Sequence, residues 1–262
     1  MSIDFEKRGP IGYITINRPE VRNCLNDDAL EGLASVWAEF RDDDALLVAV
    51  ITGAGDQAFC TGADLKELIP QIAQGELAIN PRRLQAFLKG IPIYKPIIAA
   101  INGACLAGGM EMIQGTDIRI AVDEATFGLP EPRWGLFPAG GSTVRLPRQL
   151  PYCRAMEILL TGGTVTAQEA LQMGLINRVV ARHDLMHVAT QIAEKICQNS
   201  PHAVQAIKES ALRCADIPEG SAYLLETFYG REVFSFPDAK EGPQAFLEKR
   251  RPRFSIPGTR RS

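Results

Sequence analysis

The sequence contains no run of about 18 apolar residues, so no segment of it is expected to span a membrane. The opening stretch MSIDFEKRG has neither the pattern of an export signal nor the arginine-rich character of a transit peptide. Cysteines number six, Cys24, Cys60, Cys105, Cys153, Cys197 and Cys214, scattered without a C-x-x-C pair. That excludes a disulfide framework and predicts reduced thiols packed as small hydrophobes in a cytoplasmic protein. Histidine is scarce, with three in 262 residues. His183 and His187 have the i, i+4 spacing of helix-borne metal ligands, yet there is no H-E-x-x-H pattern and no third ligand. They are expected on the surface of a helix, with no metal site. A net charge of −3 leaves no broad basic surface for nucleic acid or anionic lipid. The local exception is the basic C-terminus, Lys249 to Arg253 with Arg260 and Arg261.

Two catalytic motifs are also missing. Without G-x-S-x-G, Ser142 is not a nucleophile. Gly103 to Gly108 has phosphate-loop spacing, but Gly109 and Met110 follow where that motif requires Lys and then Ser or Thr.

What is present is the profile of a protein able to bury a sizeable core, 46% hydrophobic and 23% charged. Its length suits one α/β domain with a helical appendage. Residues 11–17 alternate apolar and polar as a half-buried strand does. Asn26 to Asp28 can cap a helix whose one face carries Leu30, Leu33, Ala34, Trp37 and Phe40, which places Trp37 in the core. Leu46 to Ile51 reads as an apolar strand, and Gly62 stands beside another helix start. The order strand, glycine turn, helix recurs near 50–68 and 97–115, with a weaker version at 11–40, like stacked turns of one spiral unit. Residues 69–92 are partly helical in pattern; they either line a pocket or fill a connection. Further on, Thr166 and Glu169 form a capping box, Gly174 ends that helix, and Leu175 to Val180 reads as a strand. Ser200–Pro201 opens a helix with an apolar stripe of Val204, Ile207, Ala211 and Leu212. Such a stripe packs against its own domain or a partner.

The chain is organised around Lys95 to Leu146. A buried strand, Ile97 to Ile101, runs into a glycine-rich turn at Gly103, Gly108 and Gly109, and a helix is predicted to open at Met110–Glu111. Amides at a helix start lack partners inside the helix and face incoming negative charge. Glu111 lies just inside, and Glu131 follows 20 positions later between Pro130 and Pro132. Donors beside two carboxylates suit carbonyl chemistry, with the donors on an enolate oxygen and the carboxylates moving protons. The plainer alternative is a first-turn glutamate serving the helix dipole and a second one solvated in a loop.

GACLAGGMEMIQGTD, twenty positions ahead of the glutamate in FGLPE, resembles the crotonase family, the enoyl-CoA hydratases and isomerases. ITINRPEVRNCLN, AFCTGADLKEL, LLTGGTVTAQEALQMGLINRVV and EGPQAFLEKRRPRF occur in the family's order, so the likeness covers nearly the whole chain. It implies a mixed α/β fold, with a crotonase-like ββα spiral catalytic core over 1–195. A C-terminal helical region at 196–262 would make the contacts of a homotrimer or a dimer of trimers.

The resemblance also implies the chemistry. The backbone N–H groups of Ala63 and Gly108 would hold the thioester oxygen of an acyl-CoA, with coenzyme A part of the substrate and no separate cofactor. Glu111 and Glu131 match the hydratases' pair, flanking one water; relatives that only shift a double bond usually lack the first. Lys66, Arg22 and Asp64 would lie along the CoA path, with Lys249 reaching a neighbouring subunit's site. The expected activity is reversible hydration of a 2-enoyl-CoA to the 3-hydroxyacyl-CoA, as in β-oxidation of fatty acids. Alternatives are dehydration of a specialised 3-hydroxyacyl-CoA (carnitinyl-CoA-like), double-bond isomerisation and, in a different class, RNA binding, which the charge opposes. Two departures stand out. Ala107 replaces the first of three family glycines, and Ala139 falls where a glycine amide usually helps hold the water. Trp134 and Phe137 either shape the acyl pocket or sit in the core.

Overall fold

The computed structural model describes residues 2–73 and 80–255. Arg260, Arg261 and part of the 69–92 stretch therefore lie outside the described residues. The chain opens with an antiparallel hairpin of β1 (Ile3–Arg8) and β2 (Ile11–Ile16). β1 alternates only over Ile3 and Phe5, too briefly to betray it, because it is an edge strand whose charged side chains stay exposed. Helix α1 (Asp27–Asp42) follows, with the Asn26 side chain accepting from the Ala29 N–H and Asp27 and Asp28 in its first turn. Its predicted face is buried throughout, Trp37 included, and the indole N–H donates to the Ala86 carbonyl at 3.2 Å.

The spiral begins at β3 (Val48–Gly53), which starts two residues later than the apolar pattern indicated. Next come β4 (Ala58–Cys60), α2 (Leu65–Ala73), α3 (Pro81–Leu84), β5 (Ile97–Ile101), β6 (Ala104–Leu106) and α4 (Gly108–Ile113). They are followed by β7 (Ile118–Val122), β8 (Thr126–Gly128), α5 (Ser142–Gln149), α6 (Tyr152–Thr161) and β9 (Thr164–Thr166). Then α7 (Ala167–Gln172), β10 (Arg178–Val180) and α8 (Leu185–Cys197) complete the core. The strands form two sheets, in the orders β1-β2-β3-β5-β7-β10 and β4-β6-β8-β9. Each spiral turn gives one strand to each sheet, as β3/β4, β5/β6 and β7/β8, and successive turns pair in parallel. The mixed α/β spiral is thus as expected. Its second, three-residue strands were not, because so short a run carries no periodicity.

Smaller corrections have local causes. Helix α4 opens at Gly108, two residues before the predicted start, since the reversal is made by Ala107. The capping box at Thr166 and Glu169 forms, and Gly174 (φ 81°) ends the helix. Leu175 belongs to that ending, its N–H bonding the Ala170 carbonyl at 2.8 Å, so β10 is confined to Arg178–Val180. His183 lies in a 3₁₀ turn ahead of α8 and His187 in α8, both exposed.

Three helices close the chain, α9 (Pro201–Cys214), α10 (Glu219–Ser235) and α11 (Asp238–Leu247). Ser200 caps α9 with Pro201 in first position. Lys208 of α9 fastens it to the core, donating to Asp117 Oδ2 at 2.7 Å and the Lys95 carbonyl at 2.9 Å. Of the α9 stripe, Ile207 and Leu212 are 69% and 56% exposed, and Ile207 lines an apolar groove with Tyr223 and Phe234 of α10. The stripe is therefore not spent on the chain's own core. No helix of the described residues is long and apolar enough to cross a membrane.

The β3–β4 turn is held by two buried asparagines. Asn102 accepts from the Gly53 N–H at 3.1 Å and donates to the carbonyls of Gly55 and Ala58, while Asn23 donates to those of Ala54 and Ala58. Asn102→Ala leaves the Gly53 donor and the Gly55 acceptor unmatched, at about 1–3 kcal/mol per buried group. A urea titration should show a loss of about 2–4 kcal/mol; an unchanged midpoint would remove this network from the account.

Candidate active site

Gly62 and Gly108 bring two backbone segments into contact. Gly62 has φ 91°, and a Cβ there would lie 3.1 Å from the Gly108 nitrogen and 2.5 Å from the Ala107 methyl. Only a residue without a side chain permits this approach. Ala63 follows at once, in a parallel bridge with Leu25. The Leu25 N–H donates to the Gly62 carbonyl at 2.7 Å and its carbonyl accepts from the Asp64 N–H at 2.8 Å. Because neighbouring peptide groups alternate in direction, the Ala63 N–H is turned away from Leu25. Gly108 is the first residue of α4, so its N–H has no partner within the helix. Neither amide has a partner among the described residues. Ala107 makes the reversal with φ 48° and ψ −122°, a conformation costing about 1–3 kcal/mol for a residue bearing a Cβ. Bonds from its N–H to Gly128 and to its carbonyl from Glu111, both 2.9 Å, hold it there.

Glu111 keeps its place in the first turn of α4 but is only 4% exposed, so it is a buried carboxyl and more than a surface charge serving the helix dipole. Its Oε1 accepts from the Ser142 N–H at 3.4 Å. Gly140 lies so close that a Cβ would come within 2.7 Å of Oε2. Burial pushes the carboxyl up to about 7, the charge of Glu131 adds to this, and the amides of Ser142, Gly140 and Gly141 oppose it. Glu131, on a 3₁₀ turn after β8, is also buried rather than solvated; burial raises its pKa too. Its Oε2 has no hydrogen-bond partner among the described residues. The structure therefore brings two buried carboxylates into electrostatic range of each other, the first on the helix that begins with the free Gly108 amide.

The remaining candidates are placed less centrally. Arg22 is exposed, and its carbonyl accepts from the Thr61 hydroxyl at 3.1 Å beside the Ala63 loop. Lys66 is exposed in the first turn of α2. Asp64 turns inward instead. Burial would raise its pKa, yet the Cys24 thiol and Arg18, 3.2 Å away, hold it below the usual range, so its carboxylate is engaged with protein groups. Lys249 is exposed beyond α11, and no hydrogen bond or ion pair among the described residues joins it to the two glutamates. Ala139 offers its carbonyl to Lys89 at 2.8 Å. Ser142 is buried, and its hydroxyl accepts from Gln114 at 2.8 Å. Trp134 and Phe137, 70% and 69% exposed, are not core residues. Among the described residues no group of three or more His, Cys, Asp or Glu is placed to hold a metal. Phe87 and Arg145, which flank this site, are not singled out by the sequence, although Phe87 falls in the 69–92 stretch expected to line a pocket or fill a connection; single residues in a stretch of weak periodicity carry no motif.

Burying an ionised Glu111 weakens the fold. A raised carboxyl pKa means that stability is lost as pH rises from 4.5 through about 7, where the folded state holds a proton the unfolded chain has released. Glu111→Gln should therefore stabilise the protein by about 3 kcal/mol at pH 8, at 1.36 kcal/mol per pKa unit. The gain should fade toward pH 5, as read from urea midpoints at matched protein concentration. A gain independent of pH would show that Glu111 is not held protonated by its site.

The sequence matches the enoyl-CoA hydratase/isomerase family over residues 6–256. It is 43% identical over 252 residues to enoyl-CoA hydratase EchA19 of Mycobacterium tuberculosis, covering 95% of this chain and 94% of that one. It is 39% identical to the (E)-benzylidenesuccinyl-CoA hydratase of Thauera aromatica, covering 97% and 99%. Among solved structures, an enoyl-CoA hydratase from Bacillus anthracis superimposes with a TM-score of 0.90 at 34% identity, covering 97% of this chain and 99% of that one. With the spiral fold, the paired backbone donors and the two buried glutamates, these likenesses mean that the chain belongs to the enoyl-CoA hydratase/isomerase family.

Proposed function

We propose that this protein reversibly adds water to a 2-enoyl-CoA, giving the 3-hydroxyacyl-CoA through a thioester enolate. The observation that carries the reading is the pair Glu111 and Glu131, both buried and both raised in pKa, with the charge of Glu131 raising Glu111 further, next to unpartnered backbone donors. The Ala63 and Gly108 amides hold the thioester oxygen. As water oxygen bonds to C3, the C2=C3 electron pair moves toward the carbonyl and these donors take up the charge; one such donor contributes on the order of 3 kcal/mol in the transition state. One carboxylate accepts the water proton while the other carboxyl delivers a proton to C2, so the pair ends with its proton count unchanged. A carboxyl near 7 is suited to this because both of its forms are populated at neutral pH. An enzyme that only moves a double bond has no need for a second buried carboxyl against a water.

The exposed Arg22 and Lys66 lie on the side where the CoA phosphates would run, and Lys249 serves a neighbouring subunit's site. The apolar groove of α9 and α10 is the contact face of a homotrimer or a dimer of trimers. Asp64 acts from behind, fixing the Arg18 and Cys24 side of the Ala63 loop. CoA enters as part of the substrate, and fatty-acid β-oxidation in the cytoplasm is the setting that fits.

Loss of enoyl-thioester absorbance with crotonyl-CoA and with a bulkier 2-enoyl-CoA tests this directly. Glu111→Gln and Glu131→Gln should each lower kcat about 10²–10⁴-fold with CoA-ester affinity retained. If the wild type binds acyl-CoA and hydrates neither substrate, the hydratase reading fails.

A further inference from the structure

One short segment beside the site is anchored at four consecutive residues. The Ala86 carbonyl accepts from Trp37 at 3.2 Å, and the Phe87 and Leu88 carbonyls accept from Arg145 at 2.8 and 2.5 Å. Lys89 donates to the Ala139 carbonyl at 2.8 Å. Leu88 is held with φ 56°, a left-handed conformation that costs a leucine energy and persists only under such restraint. Arg145 also reaches the Glu111 carbonyl at 3.5 Å, so one guanidinium joins this segment to the helix bearing Glu111.

The segment presents the Phe87 ring. A Cβ at Gly108 would meet its Cε1 at 2.8 Å, and a Cβ at Gly140 would meet its Cγ at 3.0 Å. The ring thus spans the gap between the turn carrying the Gly108 amide and the glycine packed on the Glu111 carboxylate. Phe87 is packed against the core but only partly buried. In the reaction proposed above, the thioester oxygen lies at the Gly108 amide and C2 and C3 lie toward the carboxylates. A ring bridging those two points borders the reacting carbons.

We propose that Phe87 is the specificity-determining wall of the acyl site, setting how large a substituent beside the reacting carbons is accepted, and that Arg145 is the positioning residue that locks it there. The inference rests on the acyl-CoA reading of the site. A fixed ring excludes bulk that a movable one would admit, and a difference of one methylene in such a pocket is worth about 10–200-fold in discrimination.

The test compares wild type, Phe87→Ala, Arg145→Gln and Arg145→Lys. Two ratios are read. One is kcat/KM for cinnamoyl-CoA over crotonyl-CoA; the other is affinity for 3-phenylpropanoyl-CoA over butanoyl-CoA by calorimetry. Phe87→Ala should raise both ratios about 10-fold or more, and Arg145→Gln should raise them in the same direction, with Arg145→Lys between it and wild type. In the double variant the two effects should not add, because both act through one ring. If Phe87→Ala weakens both substrates in parallel and leaves both ratios unchanged, the ring is structural and the proposal is overturned, whatever happens to the fold of the Arg145 variants. If wild type hydrates neither enoyl-CoA, the hydratase reading falls, and the affinity ratio still decides the role of Phe87.

Discussion

The site depends on a backbone-to-backbone contact, the approach of the Gly62 loop to the Gly108 turn. Every other feature is arranged so that these two strips of main chain meet with no side chain between them. The spiral supplies the geometry. The Gly62 loop leaves the end of β4 and the Gly108 turn leaves the end of β6, its parallel neighbour in the small sheet. Stacked spiral turns therefore place equivalent loops side by side. Amides set in this way belong to the covalent framework and need no rotamer to be frozen when charge develops on an oxygen. The Leu25 bridge and the start of α4 each withhold an internal partner from one amide, so the pair stays available.

The carboxylates follow the opposite logic. A buried carboxylate is costly, and the protein meets this cost only in part. Glu111 receives amides from the loop that opens α5, whereas Glu131 keeps an unpartnered oxygen among the described residues. A fully satisfied pair would have low pKa values and hold no proton at neutral pH; an unsupported pair would stay protonated. Partial support leaves Glu111 near 7, where proton transfer in either direction is accessible. Ala107 belongs to the same economy: a non-glycine in a glycine conformation, restrained by the bonds that also start α4. Strain and incomplete solvation thus concentrate where the chemistry is placed, as stability and function compete for the same residues.

Much of this was legible in the sequence, for reasons that differ by element. α1 could be read because its apolar stripe, its Asn26 cap and its acidic first turn all agree, and β5 because five buried apolar residues sit between Pro96 and a glycine turn. The two glutamates stood out through the glycine turn and their spacing, whereas the Ala63 and Gly108 donors were named by the family resemblance. The short strands β4, β6 and β8 did not, since three residues establish no period, and β1 hid behind the charges of an edge strand. The family resemblance put Asp64 along the CoA path. Only the structure shows that the Leu25 bridge turns it inward to Arg18, and alternation along the backbone is what puts neighbours on opposite sides. Arg145 was invisible because it acts through main-chain carbonyls of residues 87, 88 and 111, a relation that leaves no pattern along the chain.

That last point separates chemistry from selectivity in this fold. The reacting groups ride on the spiral's regular turns, where backbone geometry and buried carboxylates leave little freedom. The proposed acyl side is bordered by a short 3₁₀ turn and the residues after it, held by the buried Ala86 and Leu88 and by hydrogen bonds to main-chain carbonyls. Side chains there can change without disturbing a strand, a cap or the Gly62–Gly108 contact. On the proposed reading, one chemistry can be kept while its substrate varies, because Phe87 and the two glutamates are attached through different residues. In this chain Arg145 is the side chain that touches both the Phe87 segment and the helix of Glu111, and its proposed positioning role rests on those contacts.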